Sequence, residues 1–119
     1  MHKKTIAELD RGLRQGDYSS VELTRHYLER IEHHNPRLNA YITIDADRAL
    51  AAADQADSLR RLGQAGPLTG IPIAHKDIFC TKGLKTSCGS RMLDAFIAPY
   101  NATVVERLDA AGVVMLGMT

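Results

Sequence analysis

The sequence predicts an α/β fold, and three observations carry that expectation. Apolar residues recur at spacings of three and four behind capping signals at Thr5, Ser19 and Thr103. Short apolar runs suited to strands stand at Ile73-Ala74 and Val113–Leu116. Over the second half, the order strand, irregular segment, helix, strand suits a layer of helices against a sheet.

The elements follow in chain order. Thr5 and Glu8 have capping-box spacing ahead of a helix over about 6–15, with Ile6, Leu9 and Leu13 as its apolar stripe and Gly16 as its stop. Ser19 and Glu22 repeat the signal for a helix from Ser20 to His33, ended by Asn35-Pro36. Its stripe is Val21, Thr24, Leu28 and Ile31, with Tyr27 alongside. Tyr41–Ile44 reads as a short strand, and Asp45 as the cap of a helix over 46–62. That helix holds six alanines and three leucines, strong helix formers whose small members permit close packing. Asp54, Asp57, Arg60 and Arg61 make its wet face. Gly70 and Pro72 then shape the entry to a short buried strand containing Ile73 and Ala74. Thr81–Ser90 is rich in small and turn-forming residues. Thr103-Val104-Val105-Glu106 opens the next helix, with Val104, Val105 and Leu108 facing a sheet, and Ala111-Gly112 closes it before the strand Val113–Leu116.

Composition excludes several function classes. The chain of 119 residues suits one small domain, and 15 basic against 14 acidic side chains leave no nucleic-acid footprint. A partner could still supply contacts to RNA. The start, Met1–Gly12, has no apolar signal core, and no run approaches a membrane span. Cys80 and Cys88 form neither a disulfide framework nor a short metal spacing, so free buried thiols and a cytoplasmic address are expected. His26, His33 and His34 contain no HExxH arrangement, and the chain has no P-loop and no GxGxxG. No bound metal or cofactor is expected.

The chemistry concentrates after the Ile73-Ala74 strand. A stiff strand would carry Lys76 toward the interior, where desolvation lowers an amine's pKa and makes it a general base. The competing reading is a partly exposed turn lysine or half of an ion pair. Asp77 favours the ammonium if it faces it. Side chains alternate along a strand, so Asp77 can bind local backbone instead. The same alternation sets His75 opposite Lys76, as a core or surface histidine. Thr86, Ser87, Cys88 and Gly89 either line a ligand site or form an ordinary loop. Ser87 and Ser90 are weak candidates for a nucleophile, and Cys80 a weaker one.

GPLTGIPIAHKDIFCTKGLKTSCGS, followed by APYNATVVERLDAAGVVMLGMT, resembles the amidase signature family, and within it the tRNA-dependent amidotransferases. The resemblance spans nearly the whole chain and is most specific at Gly70–Asp77 and Asn101–Gly117. It implies the amino-terminal part of an α/β/α fold with a mixed sheet. It also implies a Ser–cis-Ser–Lys arrangement in which Lys76 is the catalytic lysine, with Thr86–Gly89 near the active-site lining. Both serines, nucleophile and bridge, would belong to a Gly/Ser-rich stretch beyond Thr119. His75, Ile78 and Met118 depart from the family's usual small or apolar residue, asparagine and basic residue.

The resemblance further implies hydrolysis of glutamine to supply ammonia. A B subunit would bind mischarged Glu-tRNA(Gln) or Asp-tRNA(Asn) and use ATP and Mg, and a small C subunit would join the assembly. Residues 1–66 would then be a helical region packed on the core and residues 67–119 the first part of the catalytic core. Two or three short strands do not close an α/β core, so more sheet is expected than these residues supply, and no glutaminase turnover from them alone. The competing functions are a free-standing amidase and a noncatalytic module that docks through the helices at Ser20–Ile31 and Ala46–Leu62.

Overall fold

The computed structural model describes residues 1–119. Four α-helices and three strands follow the order α1 (Ile6–Gln15), α2 (Ser20–Leu38), β1 (Thr43–Ile44), α3 (Ala46–Arg61), β2 (Pro72–His75), α4 (Thr103–Ala110) and β3 (Val114–Met118), with a 3-10 turn at Arg91–Leu93 before α4. The sheet is mixed, in the order β1-β3-β2. β2 and β3 run parallel, as a crossover through α4 allows, and β1 pairs antiparallel to β3. The expected α/β class is therefore observed.

Local sequence chemistry starts the helices. Both expected capping boxes form at the starts of α1 and α2, each with its hydroxyl and its glutamate exchanging bonds with the other's backbone. Asp45 caps α3 by accepting from Arg48 N at 3.0 Å. α4 differs from expectation. Its cap is Ala102, with no side-chain bond, and Thr103 is already the first helical residue. α2 also runs five residues past His33. Pro36 lies inside its last turn, where only one backbone bond is forfeited. Asn35 secures the exit, accepting from Ala40 N and Tyr41 N at 2.9 and 2.8 Å and donating to Tyr41 O. Asn39, left-handed at φ 49°, ends the helix.

Packing uses small residues where helices meet the sheet. Ala49 and Ala53 of α3 are fully buried with Ile31, Val114 and Leu116. A second cluster joins Leu9, Leu13, Tyr18, Leu23 and Ile71, tying α1 and α2 to the entry of β2. Leu23 is fully buried although it lies outside the expected stripe, and truncating it to alanine would cost about 2–5 kcal/mol. Ile6 and Val104, expected on buried faces of α1 and α4, are exposed instead, at 56% and 39%. Asp57 leaves the expected wet face. Its carboxylate accepts from Ser20 N and Val21 N at 2.7 and 3.1 Å, so it caps α2 from α3 and meets the positive end of that helix.

The sheet is held tightest at Gly117 in the central strand. A Cβ there would lie 2.2 Å from Thr43 O and 3.1 Å from Ile44 Cα. Ile42 N donates to Met118 O at 2.8 Å across the same seam. The β2–β3 register shifts between Ile73 and Ala74, so that Ala74 faces Gly117 and His75 faces Met118.

Candidate active site at the carboxyl ends of two parallel strands

β2 and β3 end side by side, and their pairing continues past the strands. Thr119 N donates to His75 O at 2.8 Å, and Asp77 N donates to Thr119 O at 2.9 Å. Lys76 therefore leaves the sheet at the carboxyl ends of parallel strands, where α/β folds place their ligands.

Alternation decides which side chains turn inward. His75 and Asp77 are buried, at 4% and 2% exposure, whereas Ala74 and Lys76 on the opposite face are exposed. This corrects two expectations. Ala74 is not a core residue, and the strand does not carry Lys76 into the interior of residues 1–119. The interior positions belong to its neighbours. The ion pairs join Arg14 to Asp10 and Lys85 to Asp94, so Lys76 is not half of one.

Asp77 takes the local role left open for it. Its Oδ1 accepts from Ser87 N at 3.0 Å, its Oδ2 accepts from the Ser87 hydroxyl, and its backbone carbonyl accepts from Cys88 N at 2.9 Å. Ser87 Oγ also accepts from Gly89 N at 3.3 Å, and Ser87 O from Ser90 N at 2.8 Å. Cys88 and Gly89 are both left-handed, at φ 52° and 67°, which turns the loop sharply. The structure thus brings Ser87 and Cys88 against the residue that follows Lys76, with Thr86 and Gly89 on either side of them in the same loop.

The serines do other work here. The Ser87 hydroxyl is committed to Asp77, and Ser90 Oγ accepts from Met92 N at 3.3 Å to cap the 3-10 turn. Neither forms a nucleophile–base pair with Lys76. Thr86 is buried at 1% exposure, and its hydroxyl lacks a partner. The cysteines are free, but not both buried as expected. Cys80 is half-buried and Cys88 exposed at the turn.

His75 is the perturbed group of the site. Burial pushes its ring below the ordinary histidine range; the Asp109 carboxylate opposes this and Arg48 adds to it. Neither ring nitrogen has a partner, which suits a neutral ring packed in the interior. No three His, Cys, Asp or Glu side chains converge as metal ligands would. No helix is long and apolar enough to cross a membrane.

A groove of about 790 Å³ lies elsewhere, between α3 and the junction of α4 with β3. Arg48, Gln55, Thr69 and Asp109 line it, and Lys76 does not. The lysine is instead exposed, and exposed Ile78 and Phe79 follow it two and three residues on.

Two features escaped sequence reasoning: the Asp57 cap and the Asp77–Ser87 clasp. Both join residues ten or more positions apart, beyond the reach of helical or strand periodicity.

Known proteins match this geometry closely. Residues 22–119 match the family model described as Amidase. The chain is 60% identical over 119 residues to the A subunit of glutamyl-tRNA(Gln) amidotransferase from Thioalkalivibrio sulfidiphilus, and 62% over 117 residues to that from Methylococcus capsulatus. Those alignments cover 100% and 98% of this chain and 25% and 24% of the relatives, so the chain spans about a quarter of the curated relatives it matches. The peptide amidase of Stenotrophomonas maltophilia superposes with a TM-score of 0.91 at 39% identity, over 98% of this chain and 24% of that one. With a family model matched over residues 22–119 and relatives about 60% identical along the whole chain, the chain belongs to the amidase signature family.

Proposed function

We propose that this chain serves as the lysine-bearing segment of the A subunit of a glutamyl-tRNA(Gln)/aspartyl-tRNA(Asn) amidotransferase. The observation that carries the proposal is identity of about 60% along all 119 residues to proteins of that name, against 39% to a peptide amidase of equally similar shape. Fold alone would not separate the two.

In the whole protein, glutamine is the substrate and Lys76 the base. The bridging and nucleophilic serines come from sequence beyond Thr119. The amine accepts a proton from the bridging serine, which takes one from the nucleophile. The nucleophile's oxygen bonds to the side-chain amide carbon, and the C–N bond breaks. The nitrogen takes up the relayed proton and leaves as ammonia. Water then cleaves the ester to give glutamate and free serine. A lysine works as a base only as the neutral amine, which desolvation favours, so this chemistry requires the open face around Lys76 to be covered and dried by the rest of the protein. Residues 67–119 are then the first part of the catalytic core, with residues 1–66 packed on it, and alone they turn over no glutamine.

A B subunit that binds mischarged tRNA and uses ATP with Mg receives the ammonia, a small C subunit joins the two, and the assembly works in the cytoplasm. The test uses a continuous chain of these 119 residues followed by the remaining residues of the Methylococcus capsulatus relative. With B and C subunits, ATP, Mg and glutamine, it is expected to convert Glu-tRNA(Gln) to Gln-tRNA(Gln). Hydrolysis of simple peptide amides without any tRNA-dependent conversion would instead establish a free-standing amidase.

A further inference from the structure

We propose that Asp77 is a positioning residue that fixes Lys76 through the backbone, an inference that rests on Lys76 being the catalytic lysine. Asp77 does not act on the Lys76 amine directly: its side chain is buried while Lys76 is exposed, and no ion pair joins them. What it does is make four bonds to three residues. Its carboxylate holds the amide and hydroxyl of Ser87, its carbonyl holds Cys88 N, and its own amide is held by Thr119 O.

On the other side of Lys76, His75 O accepts from Thr119 N, and Lys76 O accepts from Phe79 N at 3.0 Å. The lysine's Cα is therefore pinned from both neighbours. Both neighbours of Lys76 are bonded to Thr119, just past β3, and Asp77 is bonded as well to Ser87 and Cys88 of the turn.

The burial of Asp77 is the telling feature. At 2% exposure it makes no ion pair, and both carboxylate oxygens are satisfied by one residue, Ser87. A carboxylate is costly to bury. Here it fastens two separate pieces of chain, and those pieces are the lysine's strand end and the turn proposed to line the site. Removing the clasp frees Lys76 to move by a fraction of its own length. In catalysis an error of about 1 Å costs as much as 100-fold in rate.

The experiment uses the continuous full-length chain described above, assayed for ammonia release from glutamine across pH. Asp77→Ala is expected to lower kcat by about 10- to 100-fold with KM for glutamine within about twofold, and to shift the kcat/KM pH profile, since the profile reports the amine in its working position. Asp77→Asn keeps an oxygen for Ser87 N and a polar partner for its hydroxyl, and is expected to restore most of kcat. Ser87→Ala is expected to fall between, and adding it to Asp77→Ala to cost nothing further.

An Asp77→Ala kcat within twofold of the parent would overturn the inference. So would a lowered kcat with an unmoved pH profile that Asp77→Asn fails to restore, the pattern of a merely structural residue. If Asp77→Ala does not fold, Ser87→Ala and Asp77→Asn decide between the same outcomes. Lys76→Ala separates the two levels. Full glutaminase activity in that variant removes the catalytic reading itself, whereas its loss beside an indifferent Asp77→Ala removes only the positioning role.

Discussion

Substituting Gly117 with alanine should loosen the sheet on which Lys76 is mounted. The added Cβ would stand 2.2 Å from Thr43 O, 3.1 Å from Ile44 Cα and 3.1 Å from the Tyr41 ring. Carbon makes its best contacts at about 3.5–4.0 Å, so β1 must retreat by about 1 Å or more. That movement strains the bonds from Ile42 N to Met118 O and from Asp45 N to Leu116 O. Overpacking costs about 1–3 kcal/mol. Two weakened backbone bonds add about 1 kcal/mol each. The expected loss is about 3–5 kcal/mol, a large part of a domain's usual total of about 5–15 kcal/mol. Urea unfolding followed by far-UV circular dichroism measures it. At a slope of about 2 kcal/mol per molar, the midpoint should fall by about 2 M. Gly89→Ala is the control: nothing lies within 4 Å of its new Cβ, and only its φ of 67° is unfavourable. It should cost about 1–2 kcal/mol. Equal midpoints for the Gly117→Ala chain and its parent would refute the close approach of β1 to the central strand.

His75 has a folded-state pKa below the ordinary value of about 6.5, so the unfolded chain binds the extra proton first. Its stability contribution should be complete above pH 6.5 and decline as pH falls from there toward the folded value. His75→Val should flatten the unfolding midpoint over that window relative to the parent; an unchanged difference across pH would contradict the burial of a neutral ring. Asp57→Ala should cost about 1–2 kcal/mol in urea unfolding, because two amides at the start of α2 lose their acceptor, while Asp54→Ala on the exposed face of the same helix should change little. Comparable effects for the two would mean that the inter-helix cap is not formed.

The helical half was legible because its signals are local. Thr5 with Glu8 and Ser19 with Glu22 act within one turn, and both boxes form as spaced. The alanines of α3 announced a close-packed face, and Ala49 and Ala53 supply it. Pro36 misled because proline's cost depends on position: near the end of α2 it removes only one bond, and the chain is held just beyond it by the Asn35 side chain. Ile6 misled because periodicity gives a stripe but not how much of it a neighbour covers. At the site, strand alternation correctly separated His75 and Asp77 from Lys76. It could not say which face was inside. That choice is made by packing from α1 and α2 on Ile71, far away in sequence. The Asp77–Ser87 clasp crosses an irregular loop and has no period to betray it.

The measurement that bears most directly on Lys76 is ammonia release from glutamine by the full-length chain, compared between parent and Lys76→Ala at equal amounts of folded protein. The expected result is loss of turnover to the level of a chain lacking its serine nucleophile. Undiminished release from the Lys76→Ala chain would show that the amine at the end of β2 takes no part in the chemistry.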